Sequence, residues 1–318
     1  MKKFLFLGIA ATAMLASCTN DETVEMNPQN AIGFEMFVDK STRAAEDVTT
    51  ANLTAFEVYG WRGDALIFNA QAVTANNGTC TYSPLQYWVG GYAYTFEAVA
   101  PKSGDNGVIF APSKDASTIT FVSDSETDLI YAAGSKDLTG TANLTTDPGT
   151  VDLTFSHLLS RVKFSFVNGF PAESDVKLTV TDVKITNAGT TAVYTPSTTT
   201  WAAATATGEV TFASPAVANV ASGNTAAETE HKYLIPYEVK DYTLTFTVTM
   251  AQGGVEDTFN HSVNLSTESL VLLAGYSYDF TATLNAENIN PQGNVYPIVF
   301  TAEVNPWGDF EEEEVPFE

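Results

Sequence analysis

The sequence predicts an all-β protein built of β-sandwiches, and three observations carry that expectation. Short runs alternate apolar with polar or threonine residues; Gly, Pro, Asn and Asp punctuate them at strand-and-turn spacing; and no long stretch keeps a helical period. The clearest runs are Ile32 to Asp39, Leu53 to Trp61, Tyr92 to Ala98, Val151 to Phe155 and Val162 to Val167, then Val176 to Ile185, Tyr233 to Ile235, Tyr242 to Met250 and Tyr276 to Leu284. Within Tyr242 to Met250, Tyr242, Leu244, Phe246, Val248 and Met250 share one face and threonines fill most of the other, as in a strand with one side buried and one wet. Asn187 to Glu230 is rich in Thr, Ala, Ser and Gly, and reads as a long hairpin with loops whose large anchors are Tyr194, Trp201 and Phe212. The 318 residues suit two domains, with a boundary near Ser156 to Ser160.

The N-terminus reads as a targeting segment. Lys2 and Lys3 precede an apolar stretch from Phe4 to Leu15, shorter than the roughly 20 residues a helix needs to cross a bilayer. Residues 1–17 are therefore expected to be a signal peptide, and Leu15-Ala16-Ser17-Cys18 fits a lipobox in which Cys18 receives the lipid. An ordinary secretory peptide that happens to end in cysteine is the other reading. The polar, acidic Thr19-Asn20-Asp21-Glu22 resembles the export tags of some surface lipoproteins of Gram-negative bacteria.

Composition narrows the partners. The net charge of -24 repels phosphate backbones and anionic headgroups, so nucleic acid is excluded as a partner. Cys18 and Cys80 are the two cysteines, and with the first lipidated no disulfide framework exists; Cys80 reads as an ordinary strand residue. His157, His231 and His261 are scattered and lack the close spacing of a zinc site. His157 and Ser160 are neighbours in sequence, which does not supply the geometry of a nucleophile and its base. Asp124, Glu126 and Asp128 alternate, but the glycine and the later glutamate of a calcium loop are missing, so they read as a solvated turn. The run Glu311 to Glu314 is a solvated or interacting tail. Tyr87, Trp88, Tyr92, Tyr94 and Phe96 suit either a sandwich core or a sugar site, and core is the reading carried forward. No catalytic residue, metal or cofactor is expected.

The two ends of the chain carry matching patterns. Ile32, Phe34, Met36 and Val38 alternate in an early strand, and Ile298, Phe300, Ala302 and Val304 alternate with the same spacing near the C-terminus. Strand side chains repeat with period two, so the two apolar faces are able to fill the same groove beside a sheet edge. Between the first strand and the body lies Lys40-Ser41-Thr42-Arg43-Ala44-Ala45, which a trypsin-like protease is able to cut after Arg43. Losing the first strand would open a groove, and another subunit's C-terminal strand would fill it by β-augmentation. Two ordinary edge strands and a loop would show the same pattern.

Several stretches together resemble the fimbrillins that build type V pili. They are the lipobox, Ile32 to Val38 followed by Thr42-Arg43-Ala44, Ala55 to Trp61, Tyr87-Trp88 with Tyr94 to Pro101, Asp128 to Ala132, Phe155 to Val162, Leu234-Ile235-Pro236, and Ala274 to Phe280. The resemblance implies two tandem transthyretin-like Greek-key β-sandwich domains at 44–156 and 157–290. Before them come a lipidated propeptide with a removable strand at 18–43, and after them a donor-strand segment at 291–318. It further implies cleavage between Arg43 and Ala44, with Ile298, Phe300, Ala302 and Val304 as the donated face. Trp307 and the tail to Glu318 would be a second inserting piece or a cap, although four adjacent glutamates resist burial in a groove. The expected product is a stalk subunit that starts as an outer-membrane lipoprotein and ends in a surface fimbrium supporting adhesion. Its partners are other pilus subunits, the lipoprotein export machinery, the protease, and host glycans or proteins. The alternative is a surface lipoprotein that binds glycans without polymerising.

Overall fold

In a computed structural model, residues 30–38, 47–212, 226–236, 242–265, 271–290, 292 and 296–307 are described. The first half contains β1 (Gly33–Val38), β2 (Ala55–Arg62), β3 (Ala65–Asn76), β4 (Thr79–Thr81), β5 (Ala93–Ala100), β6 (Val108–Ala111), β7 (Thr118–Val122), β8 (Ile130–Asp137) and β9 (Thr150–His157). The second contains β10 (Ser160–Asn168), β11 (Lys177–Thr195), β12 (Thr200–Trp201), β13 (Ala206–Thr211), β14 (Ala226–Glu228) and β15 (Lys232–Leu234), then β16 (Thr243–Gln252), β17 (Val255–Asn264), β18 (Tyr276–Leu284) and β19 (Phe300–Pro306). The helical elements of the described residues are short 3-10 turns, so the all-β expectation holds.

In the first half the strands close a barrel in the order β1-β4-β3-β2-β5-β8-β9, with β1 parallel to β9 from Gly33 opposite Thr150 to Val38 opposite Phe155. The alternation of β9 points Val151, Leu153 and Phe155 inward, where they meet Ile32, Phe34, Met36 and Val38 of the first strand and Phe56, Val58, Phe68, Phe96 and Ala98. The second half has two sheets, one ordered β14-β10-β18-β19 with β15 beside β10, and one ordered β17-β16-β11-β7-β6 with β12 and β13 on β11. Val162, Phe164 and Phe166 of β10 and Phe280 of β18 pack onto Leu178, Val180 and Ile185 of β11 and Leu244, Phe246 and Val248 of β16. Of the apolar face expected for Tyr242 to Met250, Tyr242, Leu244, Phe246 and Val248 are buried, and Met250 at its end is half-buried against the same core.

A third core sits at the junction. The β6–β7 hairpin leaves the barrel and pairs antiparallel with β11, from Ile119 opposite Tyr194 to Val122 opposite Thr191. Behind it Tyr59, Val108, Phe110, Ile119, Phe121, Leu158, Leu159, Tyr233 and Trp307 form one apolar cluster drawn from both halves.

Some elements run beyond expectation. The run expected to end at Ile185 continues to Thr195, because β11 bends through a bulge at Asp182 (φ 53°) and then pairs onward with β13 and β7. Asn187 to Glu230 thus begins as the outer part of β11 and returns as β13, while 213–225 lies outside the described residues.

Candidate functional site

The first strand fills a socket shaped for it. Its four inward side chains, Ile32, Phe34, Met36 and Val38, are each 8% exposed or less. Phe34 lies edge-on to Phe68 and Phe96, with ring centroids 5.5 Å away in each case, and 5.7 Å from Tyr82. That nest requires a bare Cα at Gly60 on β2, where a Cβ would lie 2.8 Å from the Phe96 ring and 2.9 Å from Phe68. Outside the β9 ladder the strand is pinned at separate points. The Tyr82 hydroxyl donates to the Ile32 carbonyl (2.6 Å), the Val38 amide donates to Thr50 Oγ1 (2.9 Å), and the Met36 amide donates to the Gly78 carbonyl (3.1 Å). On its far side, among the described residues, Glu35 opposite Thr79 is the one ladder pair with β4.

The C-terminal strand sits differently. β19 runs antiparallel along the edge of β18, from Phe300 opposite Ala282 to Pro306 opposite Tyr276. Ile298, just before it, is buried, and Phe300 is half-buried with its ring 5.8 Å from Phe164 and Phe166. Ala302 and Val304, on the same face, are exposed, Val304 to 39%. An identical alternation therefore yields full burial at one end of the chain and half burial at the other.

Just past β19 lies a group that the sequence does not disclose. The Trp307 ring is parallel to His157 at 4.2 Å and to Tyr233 at 5.4 Å, with the Arg161 guanidinium 5.4 Å from its centroid. Arg161 is buried, ion-paired to buried Asp47, and donates through Nε to Ser277 Oγ (2.9 Å). His157 Nδ1 pairs with Asp128 Oδ2 at 2.8 Å. Asp128 thus departs from the solvated turn expected of it: Asp124 caps that turn through the amides of Glu126 and Thr127, Glu126 pairs with Lys232, and the chain then carries Asp128 inward to the histidine. The signal available was Arg161 itself, a cation inside an apolar strand, whereas nothing around Asp47 marked it as its partner. Ser160 Oγ donates to the Leu273 carbonyl, so His157 and Ser160 form no dyad.

The other candidates fall as follows. Cys18, Arg43, Ala44 and Glu311 to Glu314 lie outside the described residues. Trp88, Tyr94 and Phe96 are core, while Tyr92 is exposed. Cys80 is a half-buried β4 residue whose thiol pKa is pushed up to about 11 by burial and then by Glu35. Among the described residues no group of three or more His, Cys, Asp or Glu is placed to hold a metal ion. A cleft of about 740 Å³ lies between the halves, lined by Glu97, Tyr131, Ser156, Tyr194 and Tyr276 among others, and burial raises the Glu97 carboxyl above its usual range.

The most specific features of this all-β chain are two strands with matching apolar alternation, one in a socket and one on an edge. A family model described as fimbrillin-like matches residues 42–307, and the chain belongs to that family, one of structural fimbrial proteins, not of enzymes. It is 28% identical over 237 residues to fimbrium subunit Fim1C of Phocaeicola vulgatus, a match that covers 62% of this chain. The chain spans 61% of the length of that curated relative. Its fold is similar to solved cell-adhesion candidates from Bacteroides uniformis (TM-score 0.51, 19% identity, 87% of this chain and 99% of that one) and Bacteroides ovatus (0.50, 15%, 87% and 97%).

Proposed function

We propose that the chain is a stalk subunit of a cell-surface fimbrium, exported as an outer-membrane lipoprotein anchored through Cys18, cleaved after Arg43, and polymerised by strand exchange. Ala44 becomes the N-terminus, and Ile298, Phe300, Ala302 and Val304 of one subunit take the places of Ile32, Phe34, Met36 and Val38 in the next. The observation that carries this reading is the unequal burial of the two matching strands. At about 1.5–3 kcal/mol per large buried apolar side chain, the four β1 residues are worth on the order of 6–12 kcal/mol, comparable to the whole net stability of a typical domain. A barrel stripped of them has a strong drive to refill its groove. β19 recovers only about half of that at home, so the groove is the better place for it once β1 has gone, and not before.

Further support comes from where the family match falls. It begins at residue 42, one before Arg43, and ends on Trp307, leaving β1 outside and β19 inside. The two transthyretin-like sandwiches are assigned to 44–156 and 157–290, and the parallel pairing of β10 with β18 in the second repeats the parallel pairing that β1 of the propeptide makes with β9 of the first. On this account the signal segment 1–17 and the propeptide 18–43 are lost and 291–318 is the donor segment.

The test is cleavage of the purified precursor after Arg43. High-molecular-weight ladders are expected, and deleting 297–318 should abolish them; ladders that survive the deletion would overturn the donor role. The cleft between the halves, with its tyrosines and carboxyl, favours the second reading, a non-polymerising surface lipoprotein that binds glycans. That reading requires a surface protein that keeps its lipidated Cys18 and forms no ladders.

A further inference from the structure

At home β19 is hydrogen-bonded along β18, but its side chains are buried only at its two ends. Ile298 and Phe300 pin one end in the core of the second half, and Trp307 pins the other in the junction core. The Trp307 amide donates to the Gly275 carbonyl (2.6 Å), but its indole Nε1 has no protein partner among the described residues. Its side chain is thus held by the faces of His157 and Tyr233 and by the Arg161 cation. Arg161 keeps its place through Asp47, whose other carboxylate oxygen accepts the Tyr233 hydroxyl at 3.2 Å. Burial raises the Tyr233 phenol pKa, so that hydroxyl stays a donor. Asp47 lies four positions past Arg43, and its carbonyl accepts from Asn52 Nδ2 (2.6 Å). One buried ion pair therefore connects the chain just downstream of the cleavage bond to the seat of the donor strand's end.

We propose that Trp307 is a latch parking β19 on its own subunit, and that Asp47 sets the latch, so that freeing the chain at Ala44 loosens β19. The inference rests on the strand-exchange reading and adds its regulation. In the uncut chain Asp47 is nine positions from Val38 of β1 along a continuous backbone, and the Thr49–Asn52 turn fixes it downstream. After the cut it stands three positions from a new terminus, where chains fray. A buried guanidinium deprived of its carboxylate does not hold its position. As Arg161 moves, the indole loses the cation at its face and the Tyr233 ring loses its anchor. The same cut that opens the acceptor groove thus releases the donor strand, and neither is exposed early. Trp307 and Asp47 act here as positioning residues.

The test is hydrogen exchange of the 300–305 amides in the full chain, uncut and cut after Arg43, at a dilution where no ladders form. Cutting is expected to raise exchange in β19 by about tenfold while β16 is unchanged. In the uncut chain Trp307→Ala and Asp47→Asn should each reach the cut level, Trp307→Phe should restore most of the protection, and cutting the Trp307→Ala variant should add nothing. If Asp47→Asn does not fold, Tyr233→Phe, which removes one hydroxyl contact to Asp47, should give about a threefold rise. Equal protection of β19 before and after the cut would overturn the latch, as would an Asp47→Asn chain with unchanged exchange. Failure of the wild-type cut chain to form ladders on concentration, with the exchange pattern as expected, would instead overturn strand exchange and leave the latch standing.

Discussion

β1 and β19 have the same apolar alternation, yet one lies in the barrel with all four side chains buried and the other lies on an edge with two of four exposed. The difference is made by their neighbours. β1 faces a nest of Phe68, Phe96 and Tyr82 prepared around Gly60, whereas β19 borrows the flank of Phe164 and Phe166, which already have Phe280, Phe212 and Phe246 beside them. The lesson is that a strand's affinity for its place is set by the socket, which is what the proposed exchange would exploit. Ala302 standing where Met36 stands makes the replacement a looser fit at one position.

The comparison is broken most directly by truncation. Phe34→Ala in the uncut chain should cost about 3–5 kcal/mol by denaturant unfolding, and Phe300→Ala about 2 kcal/mol or less, because its ring is half in water. Equal costs would contradict the asymmetry. Met36→Ala should cost about 2–5 kcal/mol. The reciprocal change Ala302→Met should leave the uncut chain within about 0.5 kcal/mol but slow the dissociation of ladders, since the added volume matters only in the acceptor groove.

Acid should weaken the half that holds β19. The His231 pKa is lowered to about 4, by burial first and then by Arg161 and Lys163. In the unfolded chain the imidazole takes its proton near pH 6.5, so unfolding binds a proton that the native state refuses, and stability falls as pH drops from about 6.5 to about 4. The expected loss is about 1–3 kcal/mol, read as a falling melting temperature, and His231→Gln should flatten that slope. The smallest effect belongs to Val304→Ala, within about 0.5 kcal/mol in the uncut chain.

What was legible in the sequence follows the same physics. β1, β9 and β16 each bury one face against a single core, so their period of two survives in the residues. β17 shows its period only in its second half, where Phe259, His261 and Val263 turn toward the core between polar neighbours; it is an edge strand paired to β16 across the Gly253–Gly254 turn, where both residues take positive φ. β3 hides its period because Ala70, at φ 53°, shifts the register partway along. β6 and β7 follow the barrel strand β5 in sequence and yet serve the sheet of the second half, a choice decided by β11 and not by their own residues. The Asp47–Arg161 pair joins residues 114 positions apart, and no local pattern reveals such a partner.

The most direct measurement is the binding of a synthetic peptide covering Pro297 to Trp307 to the processed and the unprocessed protein, followed by calorimetry with a chain lacking its own 297–318. Strand exchange predicts tight binding to the chain cut after Arg43 with β1 removed, none to the uncut chain, and loss of binding when the peptide carries Phe300→Asp. Binding that ignores the cut, or that tolerates an aspartate in place of Phe300, would contradict the claim that the β1 socket is where β19 goes.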